Sequence, residues 1–146
     1  MDNLYKQITE RRSIRKYKNF KMSKEDENKI LNAIYHCPTS INGQQFTAIL
    51  IKDKNKRKQI AEMVGEQPWI EECSMFIIFC MDYNRANKAL EKINEKIVIT
   101  DSIESIMVGS IDATLAFSNA MIMAENLGYG TVPIGALRKD TDFICL

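Results

Sequence analysis

The stretch SIESIMVGSIDATLAFSNAMIMAENL, residues 102–127, constrains this chain more than any other. Its apolar positions run from Ile103 to Leu127 and cover most of a helical circumference instead of one stripe. A helix apolar nearly all round is buried on most sides. A membrane span is the competing explanation, and a span needs about 18 or more apolar residues with few charges. Glu104, Asp112, Asn119 and Glu125 punctuate the stretch. It therefore reads as the central helix of a core, or of a subunit interface. Gly128 stands where a helix C-cap is expected.

The remaining pattern is mixed. Leu4, Tyr5 and Ile8 have helical spacing. Ser23 with Asp26 three residues later has the form of a capping box, and Ile30, Leu31, Ile34 and Tyr35 behind it predict one apolar helical face ending before Pro38. Residues 46–52 (FTAILIK) read as a strand, and 75–81 (MFIIFCM), apolar throughout, as a strand buried on both faces or a piece of buried helix, its aromatic and β-branched residues favouring the strand. Residues 55–64 predict a charged helix with Ile60, Met63 and Val64 inward. Residues 82–96 predict a polar helical excursion carrying Ala89, Leu90 and Ile93, and residues 130–134 a short strand ending at Gly135. The order implies an α+β or three-layer domain with a small sheet, occupying residues 1–146.

Charge and cysteine content narrow the function. With 20 basic and 19 acidic residues the net charge is +1, which gives no drive toward nonspecific nucleic-acid binding. The balance is uneven, because residues 11–24 (RRSIRKYKNFKMSK) hold no acid. Cys37, Cys73, Cys80 and Cys145 form no C-x-x-C pair, and His36, the single histidine, has no companions at zinc spacing. Scattered cysteines in apolar surroundings suggest reduced thiols and a cytoplasmic home. The N-terminus MDNLYKQITERR has no signal-peptide h-region.

Three segments could carry chemistry. In the first, Arg11, Arg12, Ser13 and Arg15 place three guanidinium groups and a hydroxyl within five positions, a donor set suited to phosphate oxygens. An extended Arg-x-Ser-x-Arg would turn alternate side chains to one side. A solvated basic turn is the plainer explanation. In the second, PTSINGQ at residues 38–44, Ser40, Asn42 and Gln44 can hydrogen-bond the carbonyl and imide groups of a planar heterocycle, although an Asn-Gly turn alone would account for it. In the third, GYGTVPIGALR at residues 128–138, the Pro133-Ile134-Gly135-Ala136 edge lacks large polar side chains, so backbone N–H groups could approach a flat ring. A strand-to-helix turn would explain it equally. No G-x-S-x-G, H-E-x-x-H or supported Cys/His pair is present, so no residue is assigned a catalytic role and a cofactor would have to supply the reaction.

Taken in order, RRSIRKY, PTSINGQQF, DATLAFSNAMIMAENLGYG and VPIGALR resemble the nitroreductase family of flavin enzymes over nearly the whole chain. The IGALR ending is most similar to the NADPH-dependent flavin reductase branch. The resemblance implies a three-layer α+β sandwich with a small mixed sheet, helices on both faces and a long buried central helix. It implies a homodimer with FMN at the subunit interface. Arg11, Arg12, Ser13 and Arg15 would hold the FMN phosphate and ribityl chain. Ser40, Asn42 and Gln44 would reach the flavin, that of the other subunit. Pro133, Ile134, Gly135 and Ala136 would pass the isoalloxazine, and Arg138 would add a phosphate contact. The helix at 102–127 would pack on its dimer mate.

The implied activity is ping-pong hydride transfer from NADPH or NADH through FMN to a nitroaromatic, a quinone or a free flavin. Family members usually continue well beyond the PIG-A-L-R segment, whereas residues 139–146 close this chain with an apolar FICL. Two alternatives follow from that: a flavin-binding protein without efficient turnover, or a truncated remnant without function.

Overall fold

The computed structural model describes residues 2–139. The FICL segment and Cys145 lie outside them. The chain opens with α1 (Asp2–Glu10) and α2 (Lys24–Tyr35). Ser23 caps α2, its hydroxyl accepting the Asp26 N–H at 3.0 Å. Among the described residues this is the half of the expected capping box that forms. The Asp26 carboxylate accepts instead from the Tyr129 hydroxyl at 2.7 Å, tying α2 to the far end of the chain and holding the Asp26 carboxyl below its ordinary range. Ile30 and Ile34 are buried as the spacing predicts, but Tyr35 is exposed, because the buried face of α2 follows Ile30 and Ile34.

Next come β1 (Phe46–Leu50), α3 (Lys54–Met63), the single turn α4 (Trp69–Glu72) and β2 (Ile77–Met81). The strands pair antiparallel, with Phe46 opposite Met81, Ala48 opposite Phe79 and Leu50 opposite Ile77. Among the described residues the sheet has these two strands and is antiparallel, not mixed. Side chains alternate across it. Phe46, Ala48, Ile77 and Phe79 face one core with α2. Ile78 and Cys80 face a second core with Ile60, Val64 and Ile70. Helices thus cover both faces of β2, and its continuous apolar run follows from that.

The polar region forms α5 (Asn84–Glu91), and α6 (Ile103–Asn126) follows. The long helix is buried on a stripe of small residues, Gly109, Ala113, Ala116, Ala120 and Ala124, which lets α2 and the sheet come close. Phe117 meets Phe79 edge-on at 5.6 Å. Asn119 donates to the Ala33 carbonyl at 3.0 Å, which accounts for one of its polar interruptions. Within one chain the helix is not covered all round: Ile103, Ile106, Met107, Ile111 and Ile122 are exposed. By length and composition α6 could cross a membrane. Its small-residue stripe instead packs into the first core.

The strand expected at 130–134 is absent from the described residues. That segment has no regular secondary structure, and a single backbone bond, from the Ile14 N–H to the Thr131 carbonyl at 2.9 Å, joins it to the N-terminal loop. A ladder needs repeated pairing, and one bond does not make a strand.

Candidate functional site

The C-terminus of α6 fixes the first part of the site. Gly128 takes a left-handed φ of 88°. Its N–H bonds the Glu125 carbonyl and the Tyr129 N–H bonds the Ala124 carbonyl, both at 3.0 Å. This is a Schellman ending, which satisfies two terminal carbonyls and aims the chain back over the helix. Gly130 then lies against Ile14 so closely that a Cβ on it would sit 2.8 Å from the Ile14 Cβ. Loop 11–15 and segment 128–131 are therefore held together by one backbone bond and one close approach.

Around that seam lie two contiguous cavities, sharing Ile14, Tyr129 and Gly130. The smaller, about 320 Å³, is lined by Arg11 and Arg12 together with Lys6, and also by Glu10 and Glu125. Arg11 Nε donates to Glu125 Oε1 at 3.2 Å, and the Thr131 hydroxyl donates to the same oxygen at 2.5 Å. The expected alternation of side chains does not hold. Adjacent Arg11 and Arg12 share the cleft, while Ser13 and Arg15 line neither cavity.

The larger groove, about 920 Å³, runs from β2 to the segment at 130–135. Pro133, Ile134, Gly135 and Arg138 line it, as do Lys16 and Lys18. Arg138 folds back so that its guanidinium lies 3.6 Å from where a Gly135 Cβ would be. It lines this groove and not the Arg11–Arg12 cleft. Ala136 lines neither cavity and packs with Ile134 and Leu137 against the second core. Burial pushes the Tyr17 hydroxyl up to about 12 and raises the Cys73 thiol, both on the groove wall.

Ser40, Asn42 and Gln44 sit elsewhere. They are exposed, on a loop that reaches β1 through a 3-10 turn at Ser40–Asn42, and they line neither cavity. Ile41, Asn42 and Gln44 have φ values of 48°, 56° and 52°, a region that L side chains seldom occupy. The loop is clamped from beneath. Asp112 of α6 is wholly buried, its Oδ1 accepting the Ser40 N–H and its Oδ2 the Gln45 N–H, each at 3.0 Å. From the side, Arg85 donates to the Gln44 carbonyl at 2.9 Å and the Phe46 carbonyl at 2.8 Å. One chain thus joins the first and third sequence segments and leaves the second apart.

The nitroreductase family model matches residues 8–144. The chain belongs to the nitroreductase family. As a member of that family it is 45% identical over 139 residues to a protein of Bacillus subtilis (strain 168) named FMN reductase [NAD(P)H]. That match takes in 94% of this chain and 56% of the reductase. Two solved structures share the nitroreductase fold with it. The hypothetical oxidoreductase YcnD from Bacillus subtilis superposes with a TM-score of 0.94 at 42% identity. NfrA2 of B. megaterium does so with a TM-score of 0.93 at 39% identity. In each case 100% of this chain and 61% of the other is covered. The nitroreductase-family chain therefore spans little more than half the length of these relatives.

Three residues that organise the site were not singled out for it by sequence. In the sequence Glu125 and Asp112 read only as polar interruptions of α6, and Arg85 carries no signal of its own. The signal available was an acid within an otherwise apolar helix, which requires a polar partner when buried. Nothing local indicated that Asp112 would find its partners at Ser40 and Gln45, 72 and 67 positions away.

Proposed function

We propose that this chain forms one nitroreductase-like domain of an FMN-dependent NAD(P)H oxidoreductase. The observation that carries the reading is the seam at Ile14 and Gly130, where a cleft bearing Arg11 and Arg12 opens into a groove edged by Pro133, Ile134 and Gly135. The residues fit the cofactor. Guanidinium donors suit a phosphate, and an edge free of large polar side chains suits a flat ring. The groove volume also lies within the range of small-molecule sites, roughly 300–1,000 Å³. The name of the Bacillus subtilis relative, FMN reductase [NAD(P)H], points the same way.

Arg11 and Arg12 hold the phosphate from the cleft, and Ser13 and Arg15, on the same loop but outside both cavities, are the further donors that the family resemblance implies. Glu125 pairs with Arg11 at 3.2 Å on the wall of that cleft. The backbone of 133–136 supports the ring, and Arg138 supplies positive charge at the groove. Bound FMN supplies two-electron transfer from NADPH or NADH to an acceptor such as a nitroaromatic, a quinone or a free flavin. The protein binds and orients, and it excludes water.

Ser40, Asn42 and Gln44 serve the flavin of a second subunit in this reading, since they stand apart from their own chain's cavities. The exposed apolar residues of α6, with Leu4, Tyr5 and Ile8 of α1, form the homodimer surface. Such a patch is otherwise a liability in water. Purified protein incubated with FMN and desalted retains a flavin absorbance spectrum and oxidises NADPH or NADH when a quinone is added. A colourless protein ends the reading. Met107→Glu shifts the dimer to monomer in analytical ultracentrifugation, and an unchanged mass rejects this surface.

A further inference from the structure

We propose that Asp112 is a positioning residue for the flavin-facing loop, setting the presentation of Ser40, Asn42 and Gln44 without touching the cofactor. The inference rests on the FMN reading above and adds to it a residue with no contact to either cavity. Its starting point is a cost. A carboxylate with no exposed surface sits in the middle of a helix whose other buried positions are chiefly small and apolar. Burying a charge is unfavourable unless hydrogen bonds compensate. The compensation is specific. The two oxygens take one main-chain N–H each, from Ser40 at the start of the loop and Gln45 at its end.

Between those anchors the backbone does what it would not do freely. Three non-glycine residues, Ile41, Asn42 and Gln44, hold positive φ. For a β-branched residue such as Ile41 this is an outlier, and its side chain gains nothing locally, being 95% exposed. Such conformations persist only where the surroundings over-determine them. Here the surroundings are the Asp112 carboxylate, the Arg85 guanidinium on the carbonyls of Gln44 and Phe46, and the Thr39 hydroxyl accepting the Gln44 N–H at 3.3 Å. Asp112 fixes the distance between the loop ends, so the three polar side chains keep one spacing and one direction. Charge-assisted bonds to main-chain N–H groups suit that task, because they are stronger than neutral ones and directional.

The test is Asp112→Asn. The amide keeps the shape but sets an N–H donor against a main-chain N–H, so one of the two anchors is lost. FMN titrated by fluorescence quenching binds about tenfold more weakly to the variant. Hydrogen exchange loses protection at the Ser40 and Gln45 amides while β1 and α2 keep theirs. At saturating FMN the visible circular dichroism of the bound flavin differs from wild type. If the variant only melts earlier, with wild-type affinity and dichroism at saturation, Asp112 is structural and the proposal fails. If wild type itself takes up no FMN, the flavin reading fails and the positioning role goes with it. Should Asp112→Asn not fold, Ser40→Pro is compared with Ser40→Ala. The proline removes the N–H donor, and extended Thr39 (φ −138°, ψ 155°) accepts a following proline. A larger loss of FMN affinity in Ser40→Pro supports the clamp, and equal losses overturn it.

Discussion

The loop at 38–45 and the segment at 128–135 are both short, rich in turn formers and expected to face a flavin, yet they are held by opposite means. The first is fixed by charge brought from a distance, with Asp112 beneath it and Arg85 beside it. Its own residues are strained and exposed. The second is fixed by the absence of side chains. Gly128 turns the chain and Gly130 lets it lie against Ile14. A charge clamp over-determines a conformation, so the loop keeps its shape without a ligand. A seam made by close approach has no such reserve, and small changes in volume should open it.

The largest expected effect tests that seam. Gly130→Ala places a methyl 2.8 Å from Ile14 Cβ and Cγ1. Overpacking of this kind costs about 1–3 kcal/mol. Urea denaturation measures the loss, and the Arg11–Arg12 cleft should lose FMN affinity with it. Wild-type stability would mean that loop 11–15 moves freely and that the seam is not a fixed joint. Next comes the turn itself. Gly128→Ala forces a side chain into the left-handed region at the α6 terminus, where nothing crowds it, so the cost is the conformational one, about 1 kcal/mol.

On the other side of the comparison, Arg85→Met removes the donor to two loop carbonyls and leaves Asp112 in place. The Gln44 carbonyl is exposed and can take water while that of Phe46 is part-buried, so the loss is about 1 kcal/mol. Faster amide exchange across 40–45 with little change in melting temperature is the expected signature. A collapse in stability as large as that of Gly130→Ala would show that the loop depends on Arg85 more than on Asp112.

The contrast also explains what could be read from the sequence. The Ser23 cap and the Gly128 turn were legible, because each is decided by residues within one helical turn. So were β1 and β2, whose apolar runs need only a period or a length. The strand at 130–134 was misjudged because strand formation depends on neighbours, and among the described residues only Ile14 offers a bond. The apolar circumference of α6 was legible from composition, but not how it divides: one chain covers the alanine stripe and leaves Ile103, Ile106, Met107, Ile111 and Ile122 exposed. For the site, motif order supplied the candidates. It could not supply Asp112, whose meaning lies wholly in contacts more than 60 positions away.

The smallest effect concerns Tyr17, on the groove side. Burial is the main reason its hydroxyl is raised from 10.0 to about 12, with Cys73 adding to it and Arg15 opposing. The folded value lies above the unfolded one, so the folded state holds the proton more tightly. That contribution is complete below pH 10 and is lost as pH rises toward 12. Melting temperature should therefore decline over that interval in wild type, and less steeply in Tyr17→Phe, which carries no ionisable group there. Because the residue is only partly buried, solvent screening limits the difference to a small one. Parallel declines in the two proteins would place Tyr17 in open solvent. The groove wall beside Cys73 would then be looser than the loop clamped by Asp112, and the contrast between the two regions would extend from the seam to the whole groove.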